Sequence, residues 1–83
     1  MAKLKPQVCA STFLLPLFAR NLRRIREREG LSQAQLAARA DTAFSFVSML
    51  ENAKRAPSLE TIEHLGQAMG VRDPREFFQG KLP

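Results

Sequence analysis

Residues 31–59 read LSQAQLAARADTAFSFVSMLENAKRAPSL, two short helical patterns separated by a tight turn at Asp41 and Thr42 and followed by a basic loop that contains Pro57. Two helices joined by about three or four residues hold the second helix at a fixed angle, so that it can lie in the major groove of a duplex. This layout predicts a helix-turn-helix, and double-stranded DNA is the expected partner.

The composition bounds the size of the fold and the charge of its partner. The chain has 83 residues, of which 45% are hydrophobic, which is enough for one small core in one domain. Thirteen Lys and Arg against eight Asp and Glu give a formal net charge of +5, which favours a polyanionic partner. Two interpretations of the arginine run in helix one stay open, a phosphate-facing surface or simple solvation of one helix. The run consists of Arg20, Arg23, Arg24, Arg26 and Arg28.

The N-terminal segment bears on localisation. Cys9 is the single cysteine, so an internal disulfide and a zinc site built from cysteines are both excluded, and a reducing cytoplasm is expected. Residues 8–19 form an apolar run behind Lys3 and Lys5 that superficially resembles a secretory signal. The run is too short to span a bilayer and continues into an Arg-rich amphipathic helix, so no membrane association is expected.

Hydrophobic periodicity and capping residues predict an all-α, compact five-helix bundle with no strand. Helix one is predicted from Leu17 to Glu29, with Gly30 closing it. The next three are predicted over residues 32–40, 43–52 and 58–70, and a short fifth helix over the segment that begins at Asp73. Accordingly, the expected organisation is an N-terminal arm of residues 1–16, a helix-turn-helix domain of residues 17–79 and a tail of residues 80–83.

Two helices carry more detailed predictions. Ser32 and Gln35 form a capping-box pattern at the start of helix two. Helix four is expected to present one apolar side to the core. That side consists of Leu59, Ile62, Leu65 and Met69.

Beyond these patterns, NLRRIREREGLSQAQLAARAD over residues 21–41, followed by SFVSMLENAKRAPSLETIEHLGQAMGV over residues 45–71, resembles the phage repressor and Cro family of helix-turn-helix regulators, the XRE family. The resemblance covers about residues 18–79. It implies a lambda-repressor-like DNA-binding domain and a sequence-specific transcriptional regulator, expected to be a repressor or autoregulator. Such a protein places helix three in the major groove, acts as a homodimer and needs no cofactor or metal.

The resemblance also implies roles for individual residues. Arg26 and Glu51 hold the positions of a structural salt bridge. Contacts to the DNA backbone are expected from Thr42, Asn52, Lys54 and Arg55. Base-facing positions are Gln33, Phe44, Ser45, Ser48 and Met49.

The chain departs from the family at several of these positions. Phe44 and Met49 stand where relatives often carry Arg, Gln, Asn or Lys, so neither can make a bidentate contact to guanine, although either could pack on a thymine methyl. Phe46 stands where some relatives, including controller proteins of restriction-modification systems, carry Tyr near the backbone, and it either packs on the core or faces the DNA. Asp41 and Ala53 replace two glycines at helix ends, where a left-handed backbone is expected.

Two other classes of function remain as alternatives. One is a protein-interaction module or antitoxin-like protein, in which the apolar face of helix three and the N-terminal arm bind a toxin or other protein. The other is an enzyme with Cys9 as nucleophile and His64 as base, and this class is not expected because both residues are isolated. For the homodimer, Phe77 and Phe78 form the predicted seam, since two adjacent phenylalanines cannot both face one core.

Overall fold

A computed structural model describes residues 13–80, and these residues form helices with no strand among them. The all-α prediction is therefore confirmed over this range. In chain order the elements are α1 (Leu14–Arg28), α2 (Gln33–Arg39), α3 (Phe44–Glu51), α4 (Leu59–Met69) and a 3-10 helix, η1 (Pro74–Phe78).

Helix α1 begins three residues earlier than predicted. The N–H of Leu17 makes the first helical hydrogen bond, to the carbonyl of Phe13 at 3.0 Å, so the N–H that Pro16 lacks would have been unused in any case. Leu15 is buried. The predicted boundary between arm and domain, at residue 16, thus falls inside α1, while residues 1–12 of the predicted arm, including Cys9, lie outside the described residues.

The core forms around the buried face of α1, which packs chiefly against α3 and η1. The rings of Phe18 in α1 and Phe77 in η1 lie 5.5 Å apart between centroids. Burial of this apolar surface is the main source of stability in so small a domain. The core residues are Phe18, Leu22, Ile25, Leu31, Leu36, Ala37, Val47, Leu50, Leu65, Met69 and Phe77.

Two details of the predicted bundle are wrong. The fifth segment is a 3-10 helix of five residues rather than an α-helix, because so short a segment can form hardly any of the i to i−4 hydrogen bonds of an α-helix. Leu59 is 83% exposed: it is the first residue of α4, ahead of the turn that packs on the core. Ile62, Leu65 and Met69 do contact or form the core as predicted.

Each of the four α-helices within residues 13–80 ends in the same hydrogen-bonded turn, a Schellman motif in which one residue adopts a left-handed backbone. Gly30 and Gly70 hold that place after α1 and α4, whereas Asp41 (φ 54°) and Ala53 (φ 56°) hold it after α2 and α3. The predicted left-handed conformations are therefore confirmed. Aspartate adopts this conformation more readily than most L residues, whereas alanine bears a steric cost of about 1 to 2 kcal/mol, so the end of α3 at Ala53 is strained.

Within residues 13–80, no helix combines the length and the apolar character needed to cross a membrane.

Candidate nucleic-acid interface

Helices α2 and α3 form the predicted helix-turn-helix. The capping box is confirmed: Ser32 Oγ accepts from the Gln35 N–H at 3.0 Å, and Gln35 Oε1 accepts from the Ser32 N–H at 2.8 Å. At the other end of α2, the N–H of Thr42 donates to the carbonyl of Ala37 at 2.9 Å. Both ends of α2 are thus fixed, and the turn that leads into α3 has one defined geometry.

Helix α3 is fastened to α1 and α2 through Glu51, whose side chain is 0% exposed. Arg26 donates to it twice, from Nε at 2.6 Å and from Nη2 at 3.1 Å. Gln33 donates at 3.0 Å and Arg23 at 3.4 Å. The salt bridge predicted between Arg26 and Glu51 is confirmed, and the contributions of Arg23 and Gln33 were missed by sequence reasoning.

The charge of Glu51 is maintained despite its burial. Burial raises the pKa of this carboxyl, but hydrogen bonds from Arg26 and Gln33 and the positive charge of Arg26 lower it, and the lowering prevails. The pKa of Arg26 is raised, chiefly by its hydrogen bond to Glu51. Both groups are therefore ionised at neutral pH, and the acid of α3 is neutralised inside the protein.

The side chain of Gln33 is turned towards Glu51, whereas a base-contacting role would need it to face outwards. It is only partly exposed, and its amide nitrogen is bound to Glu51. A contact between Gln33 and DNA stays a prediction. If Gln33 keeps its hydrogen bond to Glu51, its amide oxygen is the atom left to contact DNA.

The outward face of α3 carries the remaining predicted base-facing residues. Phe44 is 55% exposed, Ser45 is exposed, and Ser48 and Met49 are partly exposed. Ser48 lies four residues after Phe44, and Met49 lies four residues after Ser45, so the four side chains spread over the outward side of the helix. Val47 and Leu50 point into the core.

The end of α3 and the loop after it carry the predicted backbone contacts. Asn52 donates from Nδ2 to the carbonyl of Ser48 at 2.9 Å. Lys54 and Arg55 are exposed. The guanidinium carbon of Arg55 lies 5.3 Å from the ring centroid of Phe46, which is within the range of a cation–π contact.

Phe46 and Thr42 line a pocket between α3 and α4. Phe46 is partly buried and packs against the core, so the interpretation in which this ring folds back is confirmed. Thr42 and His64 share a shallow pocket with Phe46. Phe46 therefore contacts the core and the guanidinium of Arg55.

Most of the arginines in α1 hold the protein together. Arg23 and Arg26 bind Glu51, and Arg28 pairs with Glu76 at 2.8 Å. Arg24 donates to the carbonyl of Glu76 at 3.2 Å and to the side-chain oxygen of Asn21 at 3.0 Å. Buried Asn21 in turn donates to the carbonyl of Gln79 at 2.8 Å. These contacts join residues 76–79 to α1. Neither interpretation of the arginine run, a phosphate-facing surface or a solvated helix face, included this structural role.

The two phenylalanines of the predicted dimer seam have opposite positions. Phe77 is 0% exposed in the core of its own chain, so it is unable to form a seam. Phe78 is 40% exposed, and its ring centroid lies 6.0 Å from that of Phe18. It lies at a groove of about 290 Å³ lined by Leu14, Leu15, Phe18, Ala56, Pro57, Ile62 and Phe78.

Of the two residues considered for catalysis, the structure describes only His64. His64 is exposed on α4, and Cys9 is outside the described residues. In the described part of the chain, no group of three or more His, Cys, Asp or Glu residues could hold a metal ion.

Comparisons with known proteins agree with this geometry. A family model described as helix-turn-helix matches residues 22–77. An uncharacterized HTH-type transcriptional regulator of Sinorhizobium fredii is 36% identical over 55 residues, which are 66% of this chain and 71% of that protein.

Two solved structures extend the comparison. The restriction-modification controller protein C.AhdI from Aeromonas hydrophila is 38% identical, with a TM-score of 0.73 over 77% of this chain and 96% of the controller. A hypothetical transcription factor, NHTF, from Neisseria is 25% identical, with a TM-score of 0.76 over 95% of this chain and 90% of NHTF.

Proposed function

The chain belongs to the helix-turn-helix family and is a DNA-binding transcriptional regulator, and on this premise we propose that it recognises a specific duplex sequence with α3 in the major groove. The observation that carries the proposal is the two-sidedness of α3. One side is locked to α1 and α2 by Val47, Leu50 and Glu51, and the other side is exposed from Phe44 to Asn52. A helix held in this way can enter a groove without rearranging its own domain.

The charges around α3 support a duplex as the partner. Lys54 and Arg55 follow the helix and are exposed, and Phe46 restrains Arg55 by stacking. Cations at this place would bind phosphates beside the groove and set the register of α3, while base contacts supply specificity. Thr42 and Asn52 flank the same surface and are proposed as further backbone contacts.

We propose that the regulator acts as a homodimer that occupies promoter DNA, as a repressor or autoregulator. Two copies of α3 would then bind half-sites about one helical turn apart. The groove beside Phe78 supports this assembly, since it exposes apolar side chains of Leu14 and Phe78 that a second copy could cover. The known relatives are described as regulators, so no catalytic role is proposed, and the proposed location is the cytoplasm.

The same groove supports a second candidate, an antitoxin-like protein whose partner protein binds at Phe78 and Leu14 instead of a second copy. This candidate adds a partner and does not replace the DNA surface. An apolar contact of this kind would hardly respond to salt, in contrast to phosphate contacts.

The test is the salt dependence of duplex binding, measured by fluorescence anisotropy with a labelled random-sequence duplex. The double variant Lys54→Ala, Arg55→Ala should bind more weakly. The plot of log association constant against log salt concentration should become less steep, its slope smaller in magnitude by about two, because each phosphate contact contributes about 0.9. The matched control Arg72→Ala, Arg75→Ala removes the same charge from the loop before η1 and from η1 itself. Equal effects of the two double variants would contradict the proposed surface.

A further inference from the structure

The outward face of α3 has an unusual chemistry for a surface that reads bases. It consists of Phe44, Ser45, Ser48 and Met49, and Asn52 follows as the C-terminal cap of the helix. Serine has one short hydroxyl, and phenylalanine and methionine offer no strong hydrogen-bond donor. Asn52 is the one side chain in this set suited to a bidentate contact, and its Nδ2 already binds the carbonyl of Ser48. The strongest form of direct readout, two hydrogen bonds to one base, is therefore weakly represented on this face.

Instead of these donors, the face offers apolar surface at the N-terminal end of α3. Phe44 is the first residue of α3 and is 55% exposed. The N-terminal residues of a recognition helix are those that contact base edges. In the major groove, the C5 methyl of thymine is the apolar group by which an A·T pair differs from a G·C pair.

The surroundings favour DNA over an apolar protein surface as the occupant. Glu51, the acid of α3, is buried and paired with Arg26, so it does not oppose phosphates. Exposed Lys54 and Arg55 lie just beyond the helix. An apolar patch bordered by cations matches a methyl-lined groove bordered by phosphates.

We propose that Phe44 selects bases by their C5 methyl groups, and this inference rests on the proposed function. Thymine is then preferred where Phe44 meets the groove. Cytosine carries a hydrogen at C5, and its methylated form places a methyl at the same position on the ring. A cytosine at the contacted position therefore becomes a better partner when it is methylated at C5.

The experiment uses the duplex that the full chain prefers after selection from random sequence. Each thymine is replaced in turn by deoxyuridine, which removes the methyl and keeps the hydrogen-bonding groups. At one or two positions the affinity of the wild-type protein should fall about fourfold, the value expected for losing one buried methyl group. At the same positions, 5-methylcytosine should restore affinity relative to cytosine.

Phe44→Ala should bind the deoxyuridine and thymine duplexes equally at those positions. Leu59→Ala is the matched control, since it removes another strongly exposed apolar side chain, on α4, and should leave the fourfold difference intact. Circular dichroism of both variants checks that they fold.

Two negative outcomes are distinguishable. If the protein binds its preferred duplex and no deoxyuridine substitution changes the affinity, or if Phe44→Ala keeps the wild-type difference, methyl recognition is overturned and the regulator function stands. If no duplex is preferred over random sequence, the proposed function itself fails and the inference fails with it.

Discussion

Nε of Arg26, near the end of α1, lies 2.6 Å from Oε2 of Glu51, the last residue of α3. The exposed fractions of the two side chains are 12% and 0%. The pair joins the central helix of the core to the helix that is proposed to enter the groove, so the angle of α3 depends on it.

Arg26→Ala should therefore lower the free energy of unfolding by about 3 kcal/mol, since one partner of a buried pair would be left with poorer compensation. Chemical denaturation measures this change. Arg75→Ala, which breaks an exposed pair with Asp73, serves as the control and should leave the stability unchanged within error. A loss for Arg26→Ala no larger than that of the control would mean that Arg23 and Gln33 hold Glu51 without it.

Stability should also depend on pH through Glu51. The pKa of this group is lower in the folded chain than its ordinary value of about 4.3. Its contribution is therefore complete above about pH 4.3 and is lost as the pH falls through the lowered folded-state pKa.

Denaturation of Glu51→Gln as a function of pH tests this relation. The variant should be less stable than the wild type at neutral pH, and the gap should narrow on acidification. Glu63→Gln removes a carboxyl from the surface of α4 and should follow the wild-type curve. A constant gap between Glu51→Gln and the wild type at all pH values would exclude Glu51 as the titrating group.

Ala53→Gly should stabilise the protein by about 1 kcal/mol. Alanine at φ 56° pays the steric cost of a left-handed backbone, and glycine avoids this cost while losing part of the gain to unfolded-state entropy. Ala38→Gly, inside α2, should destabilise by a similar amount. Thermal unfolding of the two variants should thus shift in opposite directions, and a shift of both downwards would contradict the account of the helix end.

Adjacent phenylalanines should respond differently to truncation. Phe77→Ala removes a fully buried ring and should cost about 3 to 5 kcal/mol. Phe78→Ser should cost less in the single chain and weaken self-association at the groove, as measured by light scattering over a range of concentrations. A monomer at high micromolar concentration for the wild type would contradict the proposed dimer.

The local features of the fold were predictable because they depend on neighbours in sequence. The Ser32 and Gln35 capping box follows from spacing and helix-end chemistry. The left-handed position of Ala53 followed from the family resemblance, in which a glycine stands at that place. The pairing of Arg26 with Glu51 followed from the family resemblance, because no local pattern links residues 25 positions apart.

Contacts between segments distant in sequence could not be predicted from the sequence pattern. Arg24 looks like any solvated arginine of a helix, and only the return of residues 76–79 to α1 gives it a partner. The choice between Phe77 and Phe78 is similar, since both are apolar and the geometry of η1 decides which ring turns inward. Gln33 matched a DNA-contacting position of the family, but in the fold its amide nitrogen donates to the buried carboxylate of Glu51, which the sequence did not indicate.

The central claim is that α3 and its basic flank read a specific duplex sequence. In vitro selection from random duplex DNA, at low and near-physiological salt, tests it most directly. The account predicts an enriched motif that the Lys54→Ala, Arg55→Ala variant binds more weakly, with two half-sites about one helical turn apart. Retention that is weak, independent of sequence and confined to low salt would contradict the claim.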